Sequence, residues 1–416
     1  MTTVRLRHLA QVNPLTPAFD RLADEDELTF LPMEAVWPGS RLDVARRRTK
    51  VSVATGYTRF QDGDVLVPKI TPTFEASRSV LIGGLFGGVG AGTTELHVVR
   101  PGPHIDPRFL LYVVNTHSFL KLGEAEMHGV AGQQRVPDSF LRDFLVELPP
   151  LEEQRRIADF LDAETARIDQ LALKRRQMRS LLTLKRERVI ESTLGLERAQ
   201  TTDGLVPLKH LVADVTVGIV ITPAKWYVEV GGTPALRGLN VKPGFINTGD
   251  LVQISAEGHA VNRKSQLNAG DVVVVRTGQA GAAAVVPAEL DGANCIDLIV
   301  VRPGSKLSPR YLQYVLNSDY ASARVTEHSV GSIQAHFNVG AMKQIPIPSI
   351  PRSEQDEIVR LLDTRVGALD LLHRKLDSQE QLLTKRRQAL ITAAVTGQFD
   401  VSTANGRNVT DGVPTS

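Results

Sequence analysis

The sequence predicts an α+β chain: two similar globular domains in tandem, each followed by a long helix, with the two helices pairing as a rod. Three observations predict it. Pieces of the first half return in the second half in the same order. Short β-rich runs bounded by Gly and Pro alternate with helices opened by proline. Two long segments carry apolar residues on a 4-3 spacing.

The repeat comes first. "VRLRHL" at 4–9 returns as "VPLKHL" at 206–211, and "VVRPGPHIDPRFLLYVVNT" at 98–116 returns as "VVRPGSKLSPRYLQYVLNS" at 300–318. "PPLEEQRRIADFLD" at 149–162 returns as "IPRSEQDEIVRLLD" at 350–363. The common order makes this a duplication. It divides the chain into a first globular domain (1–150), a first helical region (151–196) and a linker (197–205). A second globular domain (206–350), a second helical region (351–398) and a polar tail (399–416) expected to be disordered complete it.

Within each domain, "GDVLVPKI" (63–70) and "TELHVVR" (94–100) read as strands, matched by "GDVVVVRT" (270–277) and "IDLIVVR" (296–302). "PRFLLYVVNT" and "PRYLQYVLNS" read as short helices with proline at the first turn. In the first long helix, Ile157, Leu161, Ile168, Leu171, Met178 and Leu182 are expected to form an apolar seam, with Glu164, Arg175 and Lys185 at its polar positions. In the second, Ile358, Leu362, Leu369, Leu372, Leu376 and Leu383 keep that register, interrupted by Arg365, Gln379 and Arg386. Acidic residues after Pro150 and Pro351 suit the positive end of a helix dipole. A seam this narrow does not suit burial in a large core, so the partner of each helix is the other copy.

Composition excludes more than it assigns. Net charge is +2, and the most basic segment, 151–200, carries 11 basic and 9 acidic residues. Any nucleic-acid binding must come from local patches or from a partner. The one cysteine, Cys295, cannot form an internal disulfide and is expected to be a small buried residue of a cytoplasmic protein. No metal-binding HExxH or CxxC, no phosphate loop and no nucleophile elbow occurs, so no catalytic residue and no metal ligand is assigned.

Over residues 4–398 the chain resembles the specificity subunit of type I restriction–modification systems. "GDVLVPKITPTFE" (63–75), "GTTELHVVRP" (92–101) and "GSIQAHFNV" (331–339) look like parts of that family's target-recognition domains. "PPLEEQRRIADFLD" and "KRRQALITAAVTGQ" (385–398) look like its conserved helical regions. The resemblance implies a non-catalytic subunit whose two domains each read one half of a split, asymmetric DNA target. It implies that the helices form an antiparallel coiled coil that sets the half-site distance and docks methyltransferase subunits, expected as two. Motor–nuclease subunits complete the complex. S-adenosylmethionine, ATP and Mg would be bound by those partners and no cofactor by this chain. An orphan DNA-binding scaffold of the same fold is the alternative.

Base reading needs two-pronged polar side chains, and phosphate contact needs cations and hydroxyls. The residues of those types in loop-like stretches after "GDV" and before the long helix are Lys69, Thr71, Gln133, Gln134 and Arg135 in the first domain. In the second they are Arg276, Thr277, Gln279, Gln334 and His336. The run Arg46–Lys50 is a further, weaker phosphate candidate.

Overall fold

The computed structural model describes residues 2–37, 41–130, 132–196, 204–329 and 337–401. In the first half, strands β1 (Ala10–Val12), β2 (Val65–Pro68), β3 (Val80–Leu81) and β4 (Leu96–Pro101) precede helix α1 (Pro107–Val113) and the long helix α2 (Leu151–Leu194). In the second half, β5 (Asp214–Val217), β6 (Val272–Val275), β7 (Ala283–Val285) and β8 (Leu298–Arg302) precede α3 (Pro309–Leu316) and the long helix α4 (Arg352–Val395). Each set of four strands forms an antiparallel sheet, and the strand orders β1-β4-β2-β3 and β5-β8-β6-β7 correspond one to one. Each half also has a second four-stranded sheet containing one parallel pairing, Val89–Gly92 on Glu27–Leu31 and Thr233–Leu236 on Asn294–Cys295. The duplication read from sequence is a duplication of topology.

The central strands β2 and β6 are apolar without alternation because both faces of the sheet are covered there. In β6, Val272 and Val274 enter one core with Tyr311, Leu312 and Val315 of α3. Val273 and Val275 enter another with Cys295, Leu298 and Val300. The Cys295 thiol is buried and burial pushes its pKa up to about 12, which makes it a packing residue. The acid of "GDV" is structural too. Asp64 takes two hydrogen bonds from Arg100 at 2.7 and 2.9 Å, and Asp271 has Arg302 at 3.8 Å.

The chain separates into two compact units, Met1–Arg176 with Asp377–Ser416, and Gln177–Leu376. The division runs through the middle of both 44-residue helices. In the first unit the start of α2 (Ile157, Ala158, Leu161, Ile168) and the end of α4 (Leu390, Ile391, Ala394, Val395) share one core with α1. In the second unit the end of α2 (Ile190, Leu194) and the start of α4 (Val359, Leu362, Val366) share a core with α3. In each unit the beginning of one helix meets the end of the other, so the helices pair antiparallel. Phe399, assigned from sequence to the tail, packs its ring on Phe160 at 5.6 Å between centroids.

The repeated Glu-Gln motif proves to be a docking device. Gln154 is buried; its Oε1 accepts from the Asp106 N–H at 2.8 Å, and its Nε2 donates to the carbonyls of His104 (3.1 Å) and Pro149 (2.9 Å). Gln355 does the same with the Ser308 N–H at 2.7 Å and the carbonyls of Lys306 (3.0 Å) and Ile350 (2.9 Å). Two turns on, Asp162 accepts from Tyr112 and Arg108, and Asp363 accepts from Tyr314 and Arg310. Burial and the neighbouring carboxylate raise both tyrosine pKa values. The motif fastens the start of each long helix to the short helix of its own domain.

The seam differs from the sequence reading in one of its two rows. Leu362, Leu369, Leu376 and Leu390 are buried, and Leu383 is half-buried. Leu161 and Ile168 are buried, and Leu182 is half-buried. On α2 the expected second row holds at Ile157 and Glu164, which are buried; beyond them Thr165, Ala172 and Arg186 are covered while Arg179 is exposed, and on α4 the row runs through Val366, His373, Glu380 and Arg387. Leu171, Met178 and Leu372 lie one residue away and are 41%, 55% and 46% exposed, and Ile358 is half-buried beside Val359. Ion pairs also link the two helices within each unit. Asp169 meets Arg387 at 3.7 Å, Arg176 meets Glu380 at 3.8 Å and Arg186 meets Asp370 at 3.0 Å. Seven residues forward on α2 match seven back on α4, and ten forward match ten back.

Candidate nucleic-acid interface

Strands β1 and β2 both run antiparallel to β4; β2 ends opposite Leu96, where β4 begins, and β1 ends opposite Val99 in its middle. The loop after β2 therefore leaves the sheet at the edge where β4 begins. In the second unit β5 and β6 end where β8 begins, and their loops share the equivalent edge.

In the first unit this edge brings together all five residues singled out from the sequence. The Val136 N–H donates to the Lys69 carbonyl at 2.8 Å. The Thr71 N–H donates to the Gln134 carbonyl at 3.0 Å, and the Gln134 N–H donates to Thr71 Oγ1 at 3.1 Å. Gln133 is exposed, and Gln134 is half-buried. Arg135 is exposed but forked onto Glu95, with Nη2 to Oε1 at 2.7 Å and Nε to Oε2 at 2.9 Å. The guanidinium holds the Glu95 carboxyl below its ordinary range, and partial burial lowers the Lys69 pKa.

In the second unit the Phe337 N–H donates to the Arg276 carbonyl at 3.1 Å, the counterpart of Val136 on Lys69. The Arg276 side chain is already used: Nη1 meets Asp297 at 2.6 Å and Nε donates to the Phe337 carbonyl at 3.2 Å. Arg276 thus braces the loop, while Thr277 and Gln279 beside it are exposed. Gln334 and His336 lie outside the described residues. The run Arg46–Lys50 is engaged on its own domain. Arg46 meets Glu34 at 2.9 Å, Arg47 lies over the Phe86 ring, and Arg48 lies over Phe30.

Sequence reasoning missed the counter-charges. Glu95 and Asp297 occupy the same place, one residue before β4 and β8, in "ELHVVR" and "DLIVVR". Each neutralises the arginine of its own edge. The repeat was the available signal. His97 was missed as well. Its Nε2 donates to the Val136 carbonyl at 2.9 Å, and its Nδ1 accepts from Asn13 Nδ2 at 3.1 Å, so the ring ties the loop after β1 to the segment carrying Gln133 and Gln134.

Burial lowers the His97 pKa, and the Val136 hydrogen bond only partly offsets it. The unfolded chain then takes up the proton first as pH falls. The contribution of the neutral ring is complete above the ordinary value of about 6.5 and is lost as pH drops toward the folded-state pKa. Thermal unfolding is expected to move to lower temperature between about pH 7.5 and about pH 5.5, and His97→Gln should flatten that dependence. Equal pH dependence in the two proteins would remove His97 from this role.

Among the described residues no group of His, Cys, Asp and Glu could hold a metal ion, and no helix is long and apolar enough to cross a membrane.

Comparisons with known proteins agree with the geometry. Residues 89–177 and 238–381 match the family model of the type I restriction modification DNA specificity domain. The chain is 37% identical over 195 residues to the type I restriction enzyme EcoEI specificity subunit of Escherichia coli, and 38% identical over 195 residues to the EcoAI specificity subunit of the same organism. Each match covers 46% of this chain but 31% of the relative, so the chain matches under a third of the length of these relatives. In fold it is similar to a chain of a solved structure described as showing complex assembly and conformational transition of the type I R-M system. That likeness has a TM-score of 0.75 at 20% identity and covers 96% of this chain and 98% of the other. The HsdS subunit from Thermoanaerobacter tengcongensis is similar at a TM-score of 0.51 and 20% identity, over 96% and 97% of the two chains. With more than half of its residues inside the matched regions, the chain belongs to the type I restriction modification DNA specificity domain family.

Proposed function

We propose that this chain is the sequence-reading subunit of a type I restriction–modification complex and performs no catalysis itself. Each globular domain reads one half of a split, asymmetric duplex target through the loops of its sheet edge. The antiparallel helices, each about 66 Å long at 1.5 Å per residue, set the distance between the half-sites. One observation carries this reading. Two domains that share the strand order of one sheet expose equivalent loops filled with different side chains, Lys69, Thr71, Gln133 and Gln134 in one and Thr277 and Gln279 in the other. Duplicated readers with different side chains suit an asymmetric, two-part sequence.

In this reading two methyltransferase subunits dock on the helix pair, where Leu171, Met178 and Leu372 turn outward from the seam. They supply S-adenosylmethionine chemistry on adenine, and motor–nuclease subunits supply ATP- and Mg-dependent cleavage in the cytoplasm. A net charge of +2 fits a reader whose grip on DNA is completed by those partners.

Affinity purification from the source cell, with sequencing of methylated adenines in its DNA, tests the proposal. Recovery with a methyltransferase, and a split methylation motif that vanishes on deletion of this chain, is the expected result. Recovery of the chain alone, with an unchanged methylome, would favour a scaffold without working enzyme partners.

A further inference from the structure

Past α1 and α3 the two units carry one framework with different fillings. A second helix follows in each, His117–Ala125 in the first unit and Asp319–Ser329 in the second. Their first turns fix the correspondence. The Phe119 N–H donates to Thr116 Oγ1 at 3.3 Å, and the Ala321 N–H donates to Ser318 Oγ at 3.4 Å. The strands Leu145–Leu148 and Pro346–Pro348 correspond as well. The Leu6 N–H donates to the Phe144 carbonyl and the Leu208 N–H to the Ile345 carbonyl, both at 2.9 Å. Ser118 therefore stands where Tyr320 does, Leu122 where Arg324 does, and Leu145 where Pro346 does. Leu145 is paired with Arg5 at the next position of the ladder, where the carbonyl faces away from the partner strand.

In the second unit the gap between helix and strand is closed from within. Tyr320 crosses it, its hydroxyl donating to the Pro346 carbonyl at 3.0 Å. One turn on, the Arg324 guanidinium carbon lies 3.5 Å over the Tyr320 ring. In the first unit the same gap is a cleft of about 690 Å³, with Ser118, Leu122, Phe140, Phe144 and Leu145 on its walls. Leu122 and Leu145 are 55% and 59% exposed. Glu126, Asp143 and Glu147 also line the cleft, whereas Gln344 and Pro348 take the last two places in the second unit. Asp143 is held by Arg5 and Arg7, and among the described residues Glu126 and Glu147 form no ion pair.

The filled copy displays the chemistry that the open copy lacks: a ring, its hydroxyl and a cation over it. We propose that the cleft of the first unit docks a partner polypeptide that inserts a tyrosine between Ser118 and Leu145. The inserted hydroxyl donates to the Leu145 carbonyl, and a lysine or arginine of the same segment meets Glu126 and Glu147. Apolar walls with an unpaired acidic rim suit such a segment, and tyrosine is a residue that anchors interfaces. The second unit plugs its own cleft, so each chain takes one occupant here. This inference goes beyond the DNA-reading function and stands on the comparison of the two units alone.

The test uses the full chain isolated from its source cell with the subunits that co-purify. Ala125, which is exposed on the cleft wall, is replaced as Ala125→p-benzoylphenylalanine, and mass spectrometry locates the cross-linked segment after irradiation. The expected segment belongs to another polypeptide and holds a tyrosine with a lysine or arginine within one helical turn. Changing that tyrosine to phenylalanine should weaken its binding about fivefold, the usual worth of one hydrogen bond. Ser118→Tyr combined with Leu122→Arg rebuilds the plug of the second unit and should abolish the cross-link. Both positions are exposed, and circular dichroism verifies the fold. An undiminished cross-link in the plugged variant overturns the proposal, as does a captured segment without a tyrosine or no cross-link at all. A cross-link to a second copy of this chain would make the cleft a contact between copies and overturn it too.

Discussion

Gln355→Ala is expected to destabilise the second unit by about 3 kcal/mol, far more than loss of an ordinary surface glutamine. The side chain is 1% exposed and satisfies three backbone groups at once: the Ser308 N–H and the carbonyls of Lys306 and Ile350. Alanine leaves the buried Ser308 N–H without its partner and takes one partner from each carbonyl, and a buried, unsatisfied group costs about 1–3 kcal/mol before local relaxation. Gln355→Glu is the sharper probe. A carboxylate still accepts from Ser308 but cannot donate to the two carbonyls, so it should recover little. The chain has two tryptophans, and Trp226 lies in the second unit, so denaturant unfolding followed by its fluorescence in a Trp37→Phe background reports this unit. A midpoint matching that of the background protein would show that the glutamine is dispensable.

The second large effect separates the true seam from the residues beside it. Leu362→Asp should unfold the second unit, since Leu362 is fully buried in the core shared by α2, α3 and α4, and an unpaired charge there has no compensation. The expected loss is about 4 kcal/mol or more, of the order of the stability of a typical domain. Leu372→Asp, ten residues along the same helix, should cost about 1 kcal/mol or less because Leu372 is 46% exposed and outside the seam. Its effect should appear instead as reduced methyltransferase recovery. Unfolding by Leu372→Asp of the same size as that by Leu362→Asp would restore Leu372 to the seam, and full recovery of the partner would remove it from the docking surface.

Much of the fold was legible because it is written twice. "GDV", "VVRP" and the Pro-opened short helices recur at matched places, and each proves to be the same piece of structure: a buried acid, the arginine that pairs with it and the helix packed on the sheet. The site was legible only in part. Residue type singled out Arg276 and Arg135 as DNA contacts, but whether an arginine is available depends on what stands opposite. Asp297 and Glu95 stand opposite, brought there by strand pairing from positions 21 and 40 residues away.

By itself the sequence determined that the protein has two similar α+β domains, where two strands of each run and where two long helices begin. These follow from local patterns: β-branched runs, proline at a first turn, and a 4-3 repeat. Tertiary structure alone decided which row of that repeat faces inward and which half of each helix belongs to which unit. A 4-3 spacing around Leu161, Ile168, Leu362 and Leu369 is completed equally well by the next row at Leu171 and Leu372 or by the row one residue later. Leucine favours the first by hydrophobicity. The paired structure takes the second: Val366 is buried while Leu372 is 46% exposed, because the burial of each position depends on what the facing helix and the domain present to it. That preference is a property of the pair, so neither helix carries it alone.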